Sequence, residues 1–144
     1  MLRLASGRDL ERLQQLWLFT VVHAHPSLPV EYWQQRLPEF RRCCLGAEAC
    51  VVYQSALDSV ADGFFTLCAG NALPWLCVNP GAVRRGAGSA LITEAKRRRR
   101  KLHTWVLQDN LGARYFLQEQ GFVERERQPA PAGDQHWISM VYQR

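Results

Sequence analysis

The sequence has no apolar run approaching the roughly 18 residues of a membrane span. Its first residues, Met1-Leu2-Arg3-Leu4, lack the longer apolar core and small-residue cleavage site of a signal peptide. A cytoplasmic, non-membrane protein is therefore expected. There is no Cys-x-x-Cys pair, and the five cysteines (Cys43, Cys44, Cys50, Cys68 and Cys77) are odd in number. Paired Cys/His spacings of a zinc site are missing as well, so free thiols and no metal are expected. Internal repeats and Gly/Ser linkers are also absent, which leaves the 144 residues as a single domain, 1–144, long enough for a real core.

What is plentiful is positive charge. The net charge is +5, which favours anionic partners. Both a nucleic acid and a phosphate-rich cofactor fit that description. Six consecutive cations run from Lys96 to Lys101. They span about 600° of helix, so they make no one-sided stripe, and a solvated helix end is their plainest reading.

Ser6 followed by Asp9 resembles a capping box. Leu10, Leu13, Leu16, Trp17 and Val21 then recur at helical spacing. His23, His25 and Pro26 belong to the segment expected to stop this helix. Ser27 as N-cap, with Pro29 near the first turn, opens a second helix bearing Tyr32, Trp33 and Leu37. Three strands are expected at 49–53, 63–68 and 75–78, since each is short, apolar and rich in β-branched or aromatic residues. A helix from Gly88, a strand at 104–107, a helix from Asn110 to Gly121 and two closing strands at 122–123 and 138–142 complete the order. Such mixed order predicts an α/β layer with helices on both faces of a sheet.

The informative stretch is Leu76 to Leu91. A strand (Leu76, Cys77, Val78) feeds Arg84-Arg85-Gly86-Ala87-Gly88-Ser89, which opens a helix. Helix N-termini offer free N–H groups and the positive dipole end, so they attract phosphate. Gly86 and Gly88 let the backbone approach a ligand, and paired arginines add bidentate charge. The spacing is Gly-x-Gly. Leu91 stands where a dinucleotide fingerprint would carry its third glycine, and no Gly-Lys-Ser/Thr follows to make a P-loop.

Val78-x-Pro80 followed by Arg84-Arg85-Gly86-x-Gly88-x-Ala90-Leu91 resembles a signature of the GNAT superfamily of N-acetyltransferases. A second signature, Asn110-x-x-Ala113-x-x-Phe116-x-x-x-x-Gly121-Phe122, follows at the family's distance. Leu16-Trp17, His25-Pro26 and Tyr32-Trp33 resemble features of small bacterial members. The resemblance covers essentially the whole chain. It implies an α/β fold whose mixed, mostly antiparallel sheet is flanked by helices and splayed at the central acetyl-CoA-binding strand. It also implies that Leu76, Cys77 and Val78 pair with pantetheine, that Arg84, Arg85, Gly86, Ala87, Gly88 and Ser89 cradle the pyrophosphate, and that Asn110 contacts the coenzyme. Acetyl-CoA is then the co-substrate. A backbone N–H of the splayed strand polarises the acetyl carbonyl.

Two positions depart from the family pattern. The tyrosine that protonates the leaving thiolate is replaced by Leu117, and the glutamate base by Trp105. Tyr115, as an alternative acid, lies two residues earlier, about 200° round the helix. His25 is the candidate base, because histidine titrates in the right range; His23 shares its segment, and His136 is a weaker candidate. The expected activity is acetyl transfer to a primary amine: a protein lysine, a protein N-terminus or a small amine. The alternatives are a non-catalytic acyl-CoA binder or sensor, suggested by Trp105 and Leu117, and a remote one, a nucleic-acid-binding module using residues 96–101. Monomer and homodimer are both open.

Overall fold

A computed structural model describes residues 1–83, 86–130 and 135–144. Arg84 and Arg85 lie outside the described residues. The elements, in chain order, are β1 (Leu2–Leu4), α1 (Leu10–Ala24), α2 (Val30–Gln34), α3 (Leu37–Gly46), β2 (Ala49–Tyr53), β3 (Gly63–Leu67), β4 (Leu76–Val78), α4 (Pro80–Val83), α5 (Ala87–Arg98), β5 (Lys101–Leu107), α6 (Leu111–Glu119), β6 (Val123–Pro129) and β7 (His136–Gln143).

Strands β1 to β4 form one antiparallel sheet in chain order, and β5, β7 and β6 form a second. Period-two alternation assigns each residue a face. On one face Val51 and Phe65 pack with Leu91, Ile92 and Ala95 of α5 and Leu117 of α6. On the other, Val52, Phe64 and Cys77 meet Leu13, Leu16, Trp17 and Val21 of α1 and Phe40 of α3. The same alternation in β5 and β7 sends Leu102, Val106, Ile138 and Met140 to the α5/α6 face. Each fully buried Phe or Leu here contributes about 1.5–3 kcal/mol. Helices thus cover both faces, as the mixed element order predicts.

The capping box ahead of the first helix forms as expected. Ser6 N–H donates to the Asp9 carboxylate at 2.8 Å, closing the capping box on a short 3-10 turn before α1. Arg3 also grips Asp9 through two 2.8 Å hydrogen bonds.

The second helix requires correction. It begins at Val30 with Pro29 as N-cap, and it ends before Leu37, which opens the separate helix α3. Pro38 is the cause. It has no N–H to give to the preceding turn but fits the first turn of a new helix. Ser27 caps nothing; its hydroxyl donates to Asp109 at 2.6 Å. His23 lies within α1, and His25 is its C-cap rather than a loop residue.

The cationic run divides three ways. Lys96, Arg97 and Arg98 finish α5, Arg99 and Arg100 turn the chain, and Lys101 begins β5. Glu94 pairs with Arg97 and Arg98, and the Lys96 ammonium sits 4.7 Å from the centre of the Tyr142 ring. Three other residues expected in strands, Cys68, Trp75 and Phe122, lie just outside β3, β4 and β6.

Candidate active site

Between β4 and β5 the two sheets part. They touch where Leu73 N–H donates to the His103 carbonyl at 2.8 Å, beside the parallel bridge Ala72–His103. Beyond that point no ladder among the described residues joins Leu76–Val78 to β5. On its other edge β4 is paired in register with Gly63–Phe65 of β3. The Trp75 carbonyl accepts from Thr66 N–H at 3.0 Å, and Asn79 N–H donates to the Asp62 carbonyl at 2.7 Å. Residues 75, 77 and 79 therefore direct their backbone groups at β3. Alternation turns those of Leu76 and Val78 into the gap. The result is a wedge with a strand edge along one wall, able to hydrogen-bond an extended amide-bearing ligand.

The wedge holds a cavity of about 100 Å³. Leu76, Cys77, Trp105, Asn110, Phe116 and Leu117 are among its walls. At its open end α5 begins. Gly86 adopts φ +81°, a left-handed conformation favoured by glycine, and forms the N-cap. The N–H groups of Ala87, Gly88 and Ser89 fall in the first turn, where no intrahelical acceptor exists. Gly88 lies under the Phe116 ring, and a Cβ there would meet it at 3.5 Å and Val78 at 3.8 Å. That close packing draws the helix N-terminus against the end of β4.

Gly63 supports the wedge from behind. A Cβ at this position would lie 2.9 Å from the Cys77 carbonyl and 3.0 Å from Leu91. Only glycine lets β3 approach β4 and α5 this closely.

Asn110 caps α6, its Oδ1 accepting from Ala113 N–H at 3.3 Å. Its Nδ2 faces His25 Nε2 at 3.5 Å. His25 is 5% exposed, and its Nδ1 is 2.7 Å from the Val21 carbonyl. Nδ1 must donate there, which leaves Nε2 with the lone pair that faces Asn110. Burial pushes the His25 pKa down, against the opposing influences of Val21 and Asp109. Together with the Ser27–Asp109 hydrogen bond, this contact ties the end of α1 to the start of α6 across the wedge.

The structure thus gathers Leu76, Cys77, Asn110, His25, Trp105 and Leu117 around one cavity. Val78 and Gly88 adjoin its Phe116 wall, with Gly86, Ala87 and Ser89 beside Gly88 at the start of α5. Tyr115 is 60% exposed and does not line the wedge. Cys77 turns its thiol to the α1 side, where burial pushes it up to about 12. A thiol held neutral in this way is a poor acyl-accepting nucleophile. Sequence reasoning singled out neither His103 nor Ser139, whose side chains meet at 3.0 Å on the face of β5 and β7 away from α6. No group of three or more metal-ligating side chains occurs among the described residues. No helix among them is long and apolar enough to cross a membrane.

No protein-family model matches the chain. It is 34% identical over 122 residues, 85% of this chain and 82% of the relative, to the peptidyl-lysine N-acetyltransferase YiaC of Escherichia coli strain K12. The solution structure of apo YjaB from Escherichia coli superimposes with a TM-score of 0.83 at 23% identity, covering 99% of this chain and 96% of that one. A PaiA N-acetyltransferase from Thermoplasma acidophilum, solved with coenzyme A, gives 0.76 at 18% identity, covering 100% and 98%. The chain belongs to the GNAT superfamily of N-acetyltransferases.

Proposed function

We propose that this chain, as a member of that superfamily, moves acetyl from acetyl-CoA directly to the ε-amine of a protein lysine. The observation that carries the reading is the wedge: a β4 edge with Leu76 and Val78 turned inward, leading to the N-terminus of α5. Pantetheine is an extended chain with two amides, which suits an unpaired strand edge. A pyrophosphate suits the free N–H groups of Ala87, Gly88 and Ser89, with charge from Arg84 and Arg85, their neighbours in sequence.

Direct transfer is supported by the chemistry of the walls. The amine attacks the thioester carbonyl, and a Leu76 or Val78 N–H stabilises the oxyanion that forms. The carbon–sulfur bond then breaks and the thiolate leaves. Leu117 and Trp105 supply no titratable acid or base at this point. A thiol has an ordinary pKa near 8.5, so its thiolate departs tolerably without an acid. The buried Cys77 thiol disfavours a detour through an acyl-cysteine. Choice of a lysine acceptor is supported by the 34% identity to a relative named for peptidyl-lysine acetylation.

The test is to mix the protein with acetyl-CoA and three acceptor classes: lysine peptides with blocked N-termini, peptides with free N-termini, and small amines. Thiol release and acetylated products are followed together. Acetylation of the blocked lysine peptides is expected. Tight acetyl-CoA binding with no product from any class would replace the enzyme with an acyl-CoA binder.

A further inference from the structure

His103 lies on β5 two residues before Trp105, on the same face of the strand. That face looks away from α5 and α6, towards the side where α1 to α3 cover the other sheet. The backbone of His103 marks the apex of the wedge, where its carbonyl receives Leu73 N–H. Its imidazole packs edge-on against Trp105, with ring centroids 5.3 Å apart. Nε2 is 3.0 Å from Oγ of Ser139, which is 4% exposed and sits opposite Trp105 in the β5–β7 register.

Above this point is an open cavity of about 410 Å³, with Pro74, Trp75, His103, Trp105, Gln128 and Trp137 in its walls. Pro74, Trp75, Trp105 and Trp137 also line the wedge cavity. The two spaces therefore share a wall of aromatic side chains. Among the described residues that line the larger space, His103 is the one titratable side chain. Lys101 of β5 and Arg125 and Glu126 of β6 share a neighbouring hollow with it, while β7 contributes the uncharged Ser139, Val141 and Gln143.

We propose that His103 is the general base of the transfer reaction, that the 410 Å³ cavity is the approach path of the alkylammonium acceptor, and that Ser139 positions the base. The proposal rests on the acetyl-transfer reading above. With Nε2–H donating to Ser139 Oγ, Nδ1 keeps its lone pair, and it has no protein partner among the described residues. A lysine ammonium has a pKa of about 10.4, so only about one in a few thousand is neutral at pH 7. His103 Nδ1 takes one proton from the ammonium, and the freed amine pair attacks the thioester carbon. The carbon–sulfur bond breaks, and coenzyme A departs as thiolate. The second amine proton is lost as the amide forms. It neutralises the thiolate, while imidazolium returns its own proton to solvent. An aromatic enclosure suits this role, since it holds the alkyl chain while offering the ammonium one proton acceptor.

The test is the pH dependence of kcat/KM for His103→Gln, with His103→Ala plus added imidazole as a second arm. Glutamine retains a hydrogen bond to Ser139 but removes the base. At pH 7 a loss of about 10²-fold or more is expected. The gap should narrow towards pH 10, where the amine deprotonates in bulk, while the acetyl-CoA Kd stays within about twofold of wild type. Imidazole should restore part of the activity of the alanine variant. Equal pH profiles for wild type and His103→Gln would overturn the role of His103, as would a loss that is uniform in pH.

Each profile is taken with a blocked lysine peptide and with n-butylamine. Turnover of butylamine alone would overturn the lysine reading and leave the base under test. No turnover with either of these, nor with a peptide bearing a free N-terminus, overturns both.

Discussion

Nε2 of His25 faces the side-chain amide of Asn110 across 3.5 Å, joining residues 85 positions apart in the chain. The contact requires a neutral imidazole: Nδ1–H donates to the Val21 carbonyl, and the Asn110 amide N–H needs Nε2 as its acceptor. His25 therefore works as a brace for the Asn110 side chain at the start of α6. Five per cent exposure leaves it little access to an incoming amine.

This brace makes stability depend on pH. Burial lowers the folded-state pKa of His25 beneath the unfolded value. Between the two values the unfolded chain binds more protons, so stability rises with pH there. The contribution is complete above the unfolded pKa of about 6.5 and is lost as pH falls from there towards the folded value. Thermal melts from pH 7.5 to 5.5 should show a falling Tm for wild type and a flatter dependence for His25→Asn. At pH 7.5 the variant should be about 1–3 kcal/mol less stable, through the broken buried hydrogen bond.

Asn110→Asp retains an acceptor for Ala113 N–H but replaces the amide facing His25 with a carboxylate. A neighbouring negative charge favours imidazolium. Proton NMR should show the His25 titration moving upward relative to wild type. An unchanged titration would mean that the side chains do not meet in solution.

Gly63→Ala places a methyl 2.9 Å from the Cys77 carbonyl. Backbone must move to admit it, at a cost of about 1–3 kcal/mol. Because the displaced strand is β4, urea denaturation and acetyl-CoA affinity should both worsen. A variant as stable as wild type would contradict the close approach.

Gly88→Ala separates folding from binding. Its new methyl finds ordinary contacts at 3.5 Å and 3.8 Å, and alanine is the better helix former by about 1 kcal/mol. The melting temperature should hold or rise. Acetyl-CoA affinity by calorimetry should fall, because the added carbon stands at the helix N-terminus proposed to hold the pyrophosphate. Unchanged affinity would move the pyrophosphate elsewhere.

Leu117→Tyr restores a phenol where the family keeps its acid. Leu117 is 6% exposed against the wedge. If thiolate departure needs little help, kcat should change by less than about tenfold, well short of the usual worth of a positioned acid. A hundredfold rise would identify protonation of the leaving group as the barrier.

Local features of the chain were sufficient for much of this molecule. A strand entering a Gly-x-Gly helix start, an asparagine cap at Asn110 and short apolar runs at β2 to β4 are short-range patterns, each readable within a dozen residues. The order of elements and both helical faces follow from them. β1 has three residues and leaves too little periodicity to read. The missed start of α3 turned on Pro38, which can open a helix as readily as break one.

Only the tertiary structure decided which side chains meet. Trp105 and Leu117 in the two family positions already marked the usual acid and base as missing, but nothing local pointed to His103 as a replacement. Its relation to Ser139 arises from the pairing of β5 with β7, and its relation to the wedge from the bridge at Ala72. A strand carries its side chains alternately to two faces, and a one-residue slip in pairing would exchange them. Register is set by how the Leu102, Val106, Ile138 and Met140 face packs on α5 and α6, a long-range result of burial. The sequence by itself determined a strand leading into a Gly-x-Gly helix start and the family the chain belongs to. Packing between distant segments determined where the wedge opens, that His25 braces Asn110, and that an imidazole stands over the aromatic entrance.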